Sequence, residues 1–225
     1  MVIIPTGDEL IAAPVPRRGQ IIHDGNGPMI AAQAREAGIE ACLARPVGDD
    51  ADAMLAAIRA AIDHRPSLIV STGGVSVGQR DCVVQALNAL GAKIHFHGVL
   101  MRPGKPILFA TLPGGILYFG LPGNPVSAYL GFRLFVFAAL RAMQGMGPEA
   151  GMTFATEYSR RPGITLFLRC KVTWNSDGCH VHILGHQQSH RMRPLVEANF
   201  WLVLPPAQEG EFTPALFRLS PTISS

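Results

Sequence analysis

The sequence lacks cysteine pairs of the kind that bind zinc or build a disulfide framework. Its four cysteines, Cys42, Cys82, Cys170 and Cys179, form no CxxC motif, and closely spaced cysteines are the usual signature of such sites. We therefore expect four separate, buried thiols.

Long apolar runs and runs of one charge are also missing. No uninterrupted apolar stretch is long enough to cross a bilayer, and the first residues, Met1–Pro5, do not resemble a secretory signal. The formal charge is +3, without a run of Lys and Arg, which argues against nucleic-acid binding. These absences predict a soluble, cytoplasmic protein that binds neither membranes nor nucleic acids, and they leave open a local anion site.

The chain is long for one compact unit of mixed type, with 225 residues of which 48% are hydrophobic, so we expect two domains. Before residue 147, short apolar runs such as Val2–Pro5 alternate with helical periodicity such as Ala51–Asp63, which predicts an open, mostly parallel sheet flanked by helices. Gly145–Gly151 is a linker by composition. Short strand-like segments follow it, so we predict an α/β domain over residues 1–146 and a small all-β domain over residues 147–225.

A glycine-rich segment, Ser71–Asp81 (STGGVSVGQRD), follows a buried strand and precedes a helix. Its glycines would let a ligand approach the main chain, and free N–H groups at a helix start attract phosphate. Alternatively, Gly73, Gly74 and Gly78 only form a tight turn, and Asp81, in the first turn of the helix, caps it. The segment by itself fits both interpretations.

Acidic residues follow three successive predicted strands. Glu9 lies in TGDEL, Asp49 in GDD and Asp81 at the end of the glycine-rich segment. Because the carboxyl ends of parallel strands meet at one edge of a sheet, we expect the three carboxylates at the same edge. Carboxylates beside a phosphate-binding loop need a cation, and hard oxygen ligands suit Mg²⁺. Helix caps would explain each residue singly, but not their shared edge.

Two further segments carry cationic or helix-capping residues. MRPGKP holds Arg102 and Lys105 on either side of a Pro-Gly turn, and GLPGNPVSA places Asn124 near a helix cap and Ser127 in the first turn. Both arrangements suit a tetrahedral oxyanion. Solvent-facing cations beside ordinary turns would explain either segment taken alone.

In this order and spacing, TGDEL, STGGVSVGQRD, RPGKP and GLPGNPVSA closely resemble the molybdopterin-binding domain of the molybdopterin molybdenumtransferases, the MoeA and gephyrin E-domain family. The resemblance covers essentially the whole chain, because the C-terminal part with GHQQSH, Gly185–His190, is similar to the C-terminal β-barrel domain of that family.

The resemblance implies the last step of molybdenum cofactor synthesis. Adenylylated molybdopterin and molybdate are the substrates, and in a magnesium-dependent reaction AMP is released while molybdenum enters the dithiolene. It further implies that Glu9, Asp49 and Asp81 are the functional acidic positions and hold the metal. The residues implied for molybdate are Arg102, Lys105, Pro106, Ser127, Arg169 and Ser189. Those expected to bind the pterin ligand are Thr6, Gly7, Asp8, Ser71, Gly73, Gly74, Ser76, Gly78, Gly123, Asn124 and Pro125.

Full-length members of the resembled family carry a long N-terminal region before the first strand, whereas this chain begins almost directly at VIIPTGDEL. The chain is thus either a fragment or a shortened relative. In the family the active site is shared with the N-terminal region of a dimer partner, so the resemblance implies a homodimer and a partial site here. Further partners that it suggests are the molybdopterin adenylyltransferase and molybdoenzyme acceptors. Locally, Gly98 and Arg102 stand where members often have lysine, and arginine hydrogen-bonds with a different geometry.

Two other functions fit parts of the sequence. A molybdopterin adenylyltransferase would share the glycine-rich loop, although the β-rich part and RPGKP argue against it. A non-catalytic module that stores or hands on molybdopterin or molybdate is the second. His95, His97, His186 and His190 are predicted to be structural or peripheral, because His95 and His97 have the spacing of one sheet face.

Overall fold

The computed structural model describes residues 1–11, 21–75, 81–154, 162–206 and 214–220. The helices are α1 Asn26–Glu36, α2 Ala51–Asp63, α3 Cys82–Ala89, α4 Pro125–Gly131, α5 Phe137–Met143 and α6 Arg193–Glu197, with a π-helical turn, Phe132–Val136, between α4 and α5. The strands are β1 Val2–Pro5, β2 Leu10–Ile11, β3 Ile22–His23, β4 Cys42–Leu43, β5 Leu68–Thr72, β6 Lys93–His97, β7 Met101–Arg102, β8 Leu108–Thr111, β9 Leu117–Leu121, β10 Met152–Thr153, β11 Thr165–Asn175, β12 Gly178–Ile183, β13 Phe200–Leu204 and β14 Ala215–Arg218.

The first sheet has six strands in the order β4-β1-β5-β9-β8-β6. Strands β4, β1, β5 and β9 are parallel, and β8 runs antiparallel to both of its neighbours. The mostly parallel sheet with helices on its faces confirms the predicted fold class. Because β6 points the same way as β9, the loops after β1, β4, β5, β6 and β9 and the loop before β8 all meet at one edge of this sheet.

Helix α2 has the predicted bounds, because a capping side chain fixes its start and one of its faces is buried. The Asp50 carboxylate accepts a hydrogen bond from the Ala53 N–H, which caps the helix. Met54, Ile58 and Ala61 are buried. In contrast, the sequence interpretation did not include α1, whose first residues, Asn26-Gly27-Pro28, have the composition of a turn.

The apolar residues of the first sheet divide into two clusters, one on each face. One cluster joins Ile3, Val70 and Phe119 to α1 and α4, and the other joins Ile4 and Ile69 to α2 and α3. This division follows from the alternation of side chains along each strand. A parallel sheet covered on both faces leaves its strand ends as the accessible place for a ligand.

The helix that runs from Pro125 to Met143 is long and apolar enough to cross a membrane by length and composition. However, 61% of its 18-residue window is buried inside the protein. It packs between the first sheet and Trp201 and Phe167 of the second sheet. This is the position of a core helix, and Arg133 and Arg141 interrupt its apolar sequence.

The second sheet is antiparallel in the order β10-β14-β13-β11-β12, and β7 adds to β11 in parallel. One side of this sheet faces the Pro125–Met143 helix, and the other has its own apolar cluster around Leu168 and Leu202. A small β unit therefore follows the α/β part, as predicted. Strand β7, which comes from the α/β part of the sequence, belongs to this sheet.

The expectation of four buried thiols is half wrong. Cys82 and Cys170 are buried, but Cys42 and Cys179 are exposed. Both exposed cysteines lie on β4 and β12, the end strands of their sheets as far as the described residues show.

Candidate functional site

The loops after β1 and β4 are held together by side chains at the carboxyl edge of the first sheet. The Thr6 hydroxyl donates a hydrogen bond to Asp49 Oδ1 over 3.1 Å. The Asp49 N–H donates to Asp8 Oδ1 over 2.9 Å. Asp8, Glu9 and Asp49 are exposed, and the Glu9 carboxylate lies over Gly7. Carboxylates from two loops thus face solvent at this edge.

The glycine-rich segment contains two adjacent positions, Gly73 and Gly74, at which only glycine fits. Gly73 has φ +89, and a Cβ there would collide with the Thr6 carbonyl oxygen. Gly74 has φ +62, and its Cβ would lie 2.9 Å from Thr6 Cγ2. The Gly73 N–H donates to the Leu121 carbonyl, so the loop after β5 is pressed against the ends of both neighbouring strands. Ser76 and Gly78, also predicted to bind the ligand, lie outside the described residues.

Ser71 lies beneath the edge and not at its surface. It is 0% exposed in β5, and its hydroxyl is next to that of Tyr118, whose pKa is raised by complete burial. This burial makes a direct ligand contact by the Ser71 side chain inconsistent with the structure. Its position instead supports the loop from below.

Asp81 caps α3 from a buried position. It is 3% exposed, and its Oδ1 accepts hydrogen bonds from the Val83 and Val84 N–H groups. The prediction that Asp81 lies in the first turn of the helix is wrong, because Asp81 is the N-cap residue. Its second oxygen lies 3.4 Å from His97 Nε2. The capping interpretation is therefore correct for Asp81, whereas the cap of α2 is Asp50, which leaves Asp49 free of that role.

The pKa of the Cys82 thiol reflects the charges of two of the acidic residues. Burial raises the pKa of its thiol, and the charges of Asp49 and Asp81 raise this pKa further. Both carboxylates therefore act on the same buried thiol through their charges. No group of three or more His, Cys, Asp or Glu side chains with the geometry of a metal site occurs in the described part of the chain.

His97, predicted to be structural or peripheral, has its ring beside the carboxylate of Asp81. It ends β6 at the same sheet edge and meets Asp81, while His95 bonds to Thr111 and stacks on Phe109. The register of β6 shifts between Ile94 and Phe96, so spacing alone does not describe this strand. No sequence signal separates the two histidines.

The loop before α4 is tied to the start of α1 by a residue that the sequence interpretation missed. Asn26 Nδ2 donates to the Gly123 carbonyl over 2.7 Å. Asn124 is the N-cap of α4, with Pro125 as the first helical residue. Gly123 and Asn124 are exposed. The two helix starts therefore flank the glycine-rich loop on one face of the sheet.

We call Arg102, Lys105, Pro106, Ser127 and Ser189 the cationic corner. Arg102 and Lys105 are exposed and form no ion pair with the described residues. The turn between them packs on α4, since a Cβ on Gly104 would lie 3.8 Å from the Ser127 carbonyl oxygen. Ser127 is 3% exposed, and the Val126 N–H donates to the Ser189 carbonyl over 3.1 Å. The second sheet thus reaches the start of α4, as the resemblance implies.

Arg169 does not extend its guanidinium into this corner. The residue is 1% exposed. Its side chain donates to Gln187 Oε1 and to the carbonyls of Arg191, His186 and Gln188, and burial lowers its pKa. These four hydrogen bonds hold the loop that carries Ser189. Arg169 therefore positions the loop, and a direct bond to an oxyanion would have to replace this network.

The end of β6 and the two residues that follow it contact both Asp81 and the loop that carries Lys105. His97 contacts Asp81, and two residues later the Val99 N–H donates to the Lys105 carbonyl. The loop that carries Lys105 and the carboxylate of Asp81 are therefore both next to the end of β6. Such an arrangement suits a ligand that carries anionic groups at one end and brings a cation at the other.

Two family models match the chain. Residues 2–142 match a probable molybdopterin binding domain, and residues 152–212 match the MoeA C-terminal region (domain IV). The structure of the molybdopterin biosynthesis MoeA protein from Pyrococcus horikoshii is similar over 98% of this chain and 54% of its own length, with a TM-score of 0.75 and 23% identity. This likeness shows the fold.

Curated relatives are molybdopterin molybdenumtransferases. The one from Staphylococcus aureus (strain COL) is 32% identical over 212 residues, which are 92% of this chain and 50% of the relative. The one from Nostoc sp. is 42% identical over 146 residues, 64% of this chain and 33% of the relative. The chain thus spans about half the length of the curated relatives that it matches. It belongs to the family of molybdopterin-binding domains, joined here to the MoeA C-terminal region.

Proposed function

We propose that this protein acts in molybdenum cofactor biosynthesis, where it binds adenylylated molybdopterin and molybdate and takes part in molybdenum insertion with release of AMP. One observation carries the proposal: the described parts of the four motif loops that define the family resemblance lie at a single edge of the first sheet. The names of the curated relatives support the transfer of molybdenum to molybdopterin.

In the proposed site the glycine-rich loop, with Thr6, Gly7 and Asp8 beside it and Gly123, Asn124 and Pro125 across from it, receives the pterin ligand and its phosphate. Gly73 and Gly74 are half-buried, so a ligand reaches their main chain without a side chain in the way. Ser76 and Gly78 belong to the same proposed surface.

We further propose that Mg²⁺ binds at Glu9, Asp49 and Asp81. Mg²⁺ is usually held by one or two carboxylates together with substrate phosphates, and seldom by a cage made only of protein. Glu9 and Asp49 are exposed at the sheet edge, and the buried Asp81 carboxylate caps α3 at the same edge, so the proposed ion would bind with the help of substrate phosphates. When bound, the ion would stabilise negative charge on the leaving AMP. Asp8 and Thr6 orient Asp49, and His97 faces the Asp81 carboxylate.

Molybdate is proposed to bind at the cationic corner. Arg102 and Lys105 are exposed cations on a turn that packs on α4, and charge-assisted hydrogen bonds to an oxyanion are stronger than neutral ones. Pro106, Ser127 and Ser189 complete the surface, and Arg169 contributes by holding the Ser189 loop. The site would place molybdate next to the pterin ligand, so that transfer needs orientation and charge stabilisation but no nucleophilic side chain.

The division into domains at residues 146 and 147, a cytoplasmic location, a homodimer, and contacts with the molybdopterin adenylyltransferase or with molybdoenzyme acceptors are parts of the same proposal. Small-molecule substrates fit the family. The activity of the full-length relatives is transferred here as a proposal, because this chain matches half of their length.

The test is an assay of AMP release from adenylylated molybdopterin with and without molybdate, run beside an assay of ATP consumption with free molybdopterin. Molybdate-dependent AMP release supports insertion. ATP consumption without AMP release from the adenylylated ligand would identify an adenylyltransferase.

Isothermal titration separates binding from turnover in the same preparation. Pterin binding that is strengthened by Mg²⁺ and lost in an Asp49→Asn variant supports the proposed site even where turnover is slow. Tight binding of molybdopterin and molybdate with no turnover in either assay would contradict an enzyme and support a binding module.

A further inference from the structure

A cavity of about 360 Å³ lies away from the proposed active site. We call it the junction cavity, and it is formed by the π-helical turn and α5, by residues 146–149 and by Phe217 of β14. Its size falls within the range of small-molecule sites in proteins. The last helix of the α/β part, the connecting residues and a strand of the β part thus all contribute to its walls.

The charges around the junction cavity are unbalanced. Arg133, Arg141 and Glu149 line it, and both Glu149 oxygens contact Arg133 Nη2, at 2.7 and 2.6 Å. One positive charge is therefore left over. The remaining walls are mainly apolar, with Leu134, Phe137 and Phe217.

Arg133 is the residue that makes this cavity a binding site. It is 3% exposed, its Nε donates to the Arg218 carbonyl, and its guanidinium lies 5.1 Å from the centre of the Phe137 ring. Its Nη1 has no hydrogen-bond partner among the described residues. Because Arg133 lines the cavity, this unbonded donor is available to a ligand anion there, and charge-assisted hydrogen bonds are stronger than neutral ones.

Arg141 presents further donors to the same space. Its Nε donates to the Gly147 carbonyl over 3.0 Å, while its two terminal nitrogens form no hydrogen bond within the described part of the chain. With Arg133 they provide donors of the fork type that binds carboxylates in a bidentate manner.

We propose that the junction cavity binds a small carboxylate with an apolar or aromatic body. The carboxylate would bind to Arg133 Nη1 and to Arg141, and the body would lie against Phe137, Leu134 and Phe217. A strongly hydrated dianion such as molybdate or phosphate does not fit, because the apolar walls would strip its hydration while one surplus positive charge would not compensate for two negative ones. The π-helical turn that carries Arg133 is of a kind frequently found at functional sites.

Binding would also stabilise the junction of the two parts. The ligand would contact the last helix of the α/β part, the connecting residues 146–149 and strand β14 at once. A compound that binds only the folded protein raises its melting temperature. The proposal is independent of the molybdenum chemistry, since the cavity shares no residue with the loops of the proposed active site.

Benzoate is the probe, with neutral benzamide of the same shape as its match. Isothermal titration and thermal unfolding are measured for the wild type, Arg141→Gln and Ala138→Phe. Ala138 is an exposed residue of the cavity wall, so phenylalanine there fills the space without disturbing the core. Arg193→Gln, an exposed arginine paired with Glu197 elsewhere, is the matched control.

We expect millimolar or tighter benzoate binding, with benzamide and Arg141→Gln each weaker by about tenfold, the loss of one hydrogen bond to a charged group. Ala138→Phe should abolish binding, and Arg193→Gln should bind like the wild type. Molybdate titrations of the same variants should be unchanged, which separates this site from the proposed active site. Undetectable benzoate binding at millimolar concentration, equal binding of benzamide, or unchanged binding in Ala138→Phe would each overturn the proposal.

Discussion

The acidic residues and the cationic corner share one sheet edge but are built in different ways. Thr6, Asp49 and Gly73 are held by contacts between neighbouring strand ends of a single sheet. The cationic corner depends on contacts between two sheets, namely the Val126–Ser189 hydrogen bond and the Arg169 network. The first region is therefore as stable as the sheet, whereas the second depends on how the β part is attached.

Gly73→Ala should give an effect as large as any expected here, because it introduces a side chain at the most closely packed point of the acidic edge. The new Cβ would collide with the Thr6 carbonyl at a positive φ, and we expect a loss of about 3 kcal/mol in the free energy of unfolding. Urea denaturation measures it. Gly91→Ala is the control: its φ is also positive, at +69, but nothing lies near its Cβ, so about 1 kcal/mol is expected. Equal losses would show that the strand ends are not closely packed.

Arg169→Ala tests the attachment of the cationic corner. Loss of the hydrogen bonds to three loop carbonyls and Gln187 in a buried position should destabilise the protein by about 3 kcal/mol and weaken molybdate binding through the displaced Ser189 loop. Denaturation and titration on one sample measure both. Arg193→Ala, on the surface, should change stability by no more than about 0.5 kcal/mol. A stable Arg169→Ala variant that has lost molybdate binding would instead identify Arg169 as a direct ligand.

Lys105→Ala is expected to weaken molybdate binding without changing the stability of the protein. Lys105 is exposed, so the melting temperature should be unchanged, while molybdate affinity should fall by roughly 1.5–3 kcal/mol, or about ten- to a hundredfold. Pterin affinity should change much less. Titration with molybdate, with tungstate and sulfate as competing tetrahedral anions, measures this. Equal molybdate affinities would remove the loop from the site.

Asp81 can be divided into its two roles with a pair of variants. Asparagine is also a good N-cap, so Asp81→Asn should keep the stability of α3, whereas Asp81→Ala should lose about 1 kcal/mol. Both variants should weaken Mg²⁺-dependent ligand binding, because both remove the charge. If Asp81→Asn binds like the wild type, Asp81 is a cap and nothing more.

The smallest effect is expected at Cys82, whose pKa is raised by burial and by the charges of Asp49 and Asp81. A thiol is protonated below its pKa, so these effects displace its alkylation to higher pH. Asp49→Asn removes one negative charge, lowers the pKa and should speed alkylation of Cys82 at a given mildly alkaline pH. Site-resolved mass spectrometry follows it apart from exposed Cys42 and Cys179. Asp63→Asn, on the distant end of α2, should have no effect.

The sequence predicts best what depends on local patterns. The bounds of α2 follow from a capping aspartate and an apolar face, and the acidic edge follows from strand ends that alternate with helices. Sequence patterns do not predict the role of a residue when that role depends on contacts with residues that are distant in sequence. The family resemblance implies that Arg169 binds molybdate, but its guanidinium donates to Gln187 and to loop carbonyls that are distant in sequence. His97 differs from His95 only by its position opposite Asp81, and α1 begins with residues typical of a turn.

The pairing of β7 with β11 limits how the chain can be divided in the laboratory. A fragment that ends at residue 146 would keep Arg102 but lose the strand against which Met101 and Arg102 are aligned, as well as Glu149, the partner of Arg133. It would expose Trp201's contact surface on the Pro125–Met143 helix. Such a fragment would be prone to aggregate. If it bound molybdate weakly, the cause would be the missing strand β11, which aligns Met101 and Arg102, and not a missing ligand side chain. Biochemical experiments should therefore use a single polypeptide that contains both parts.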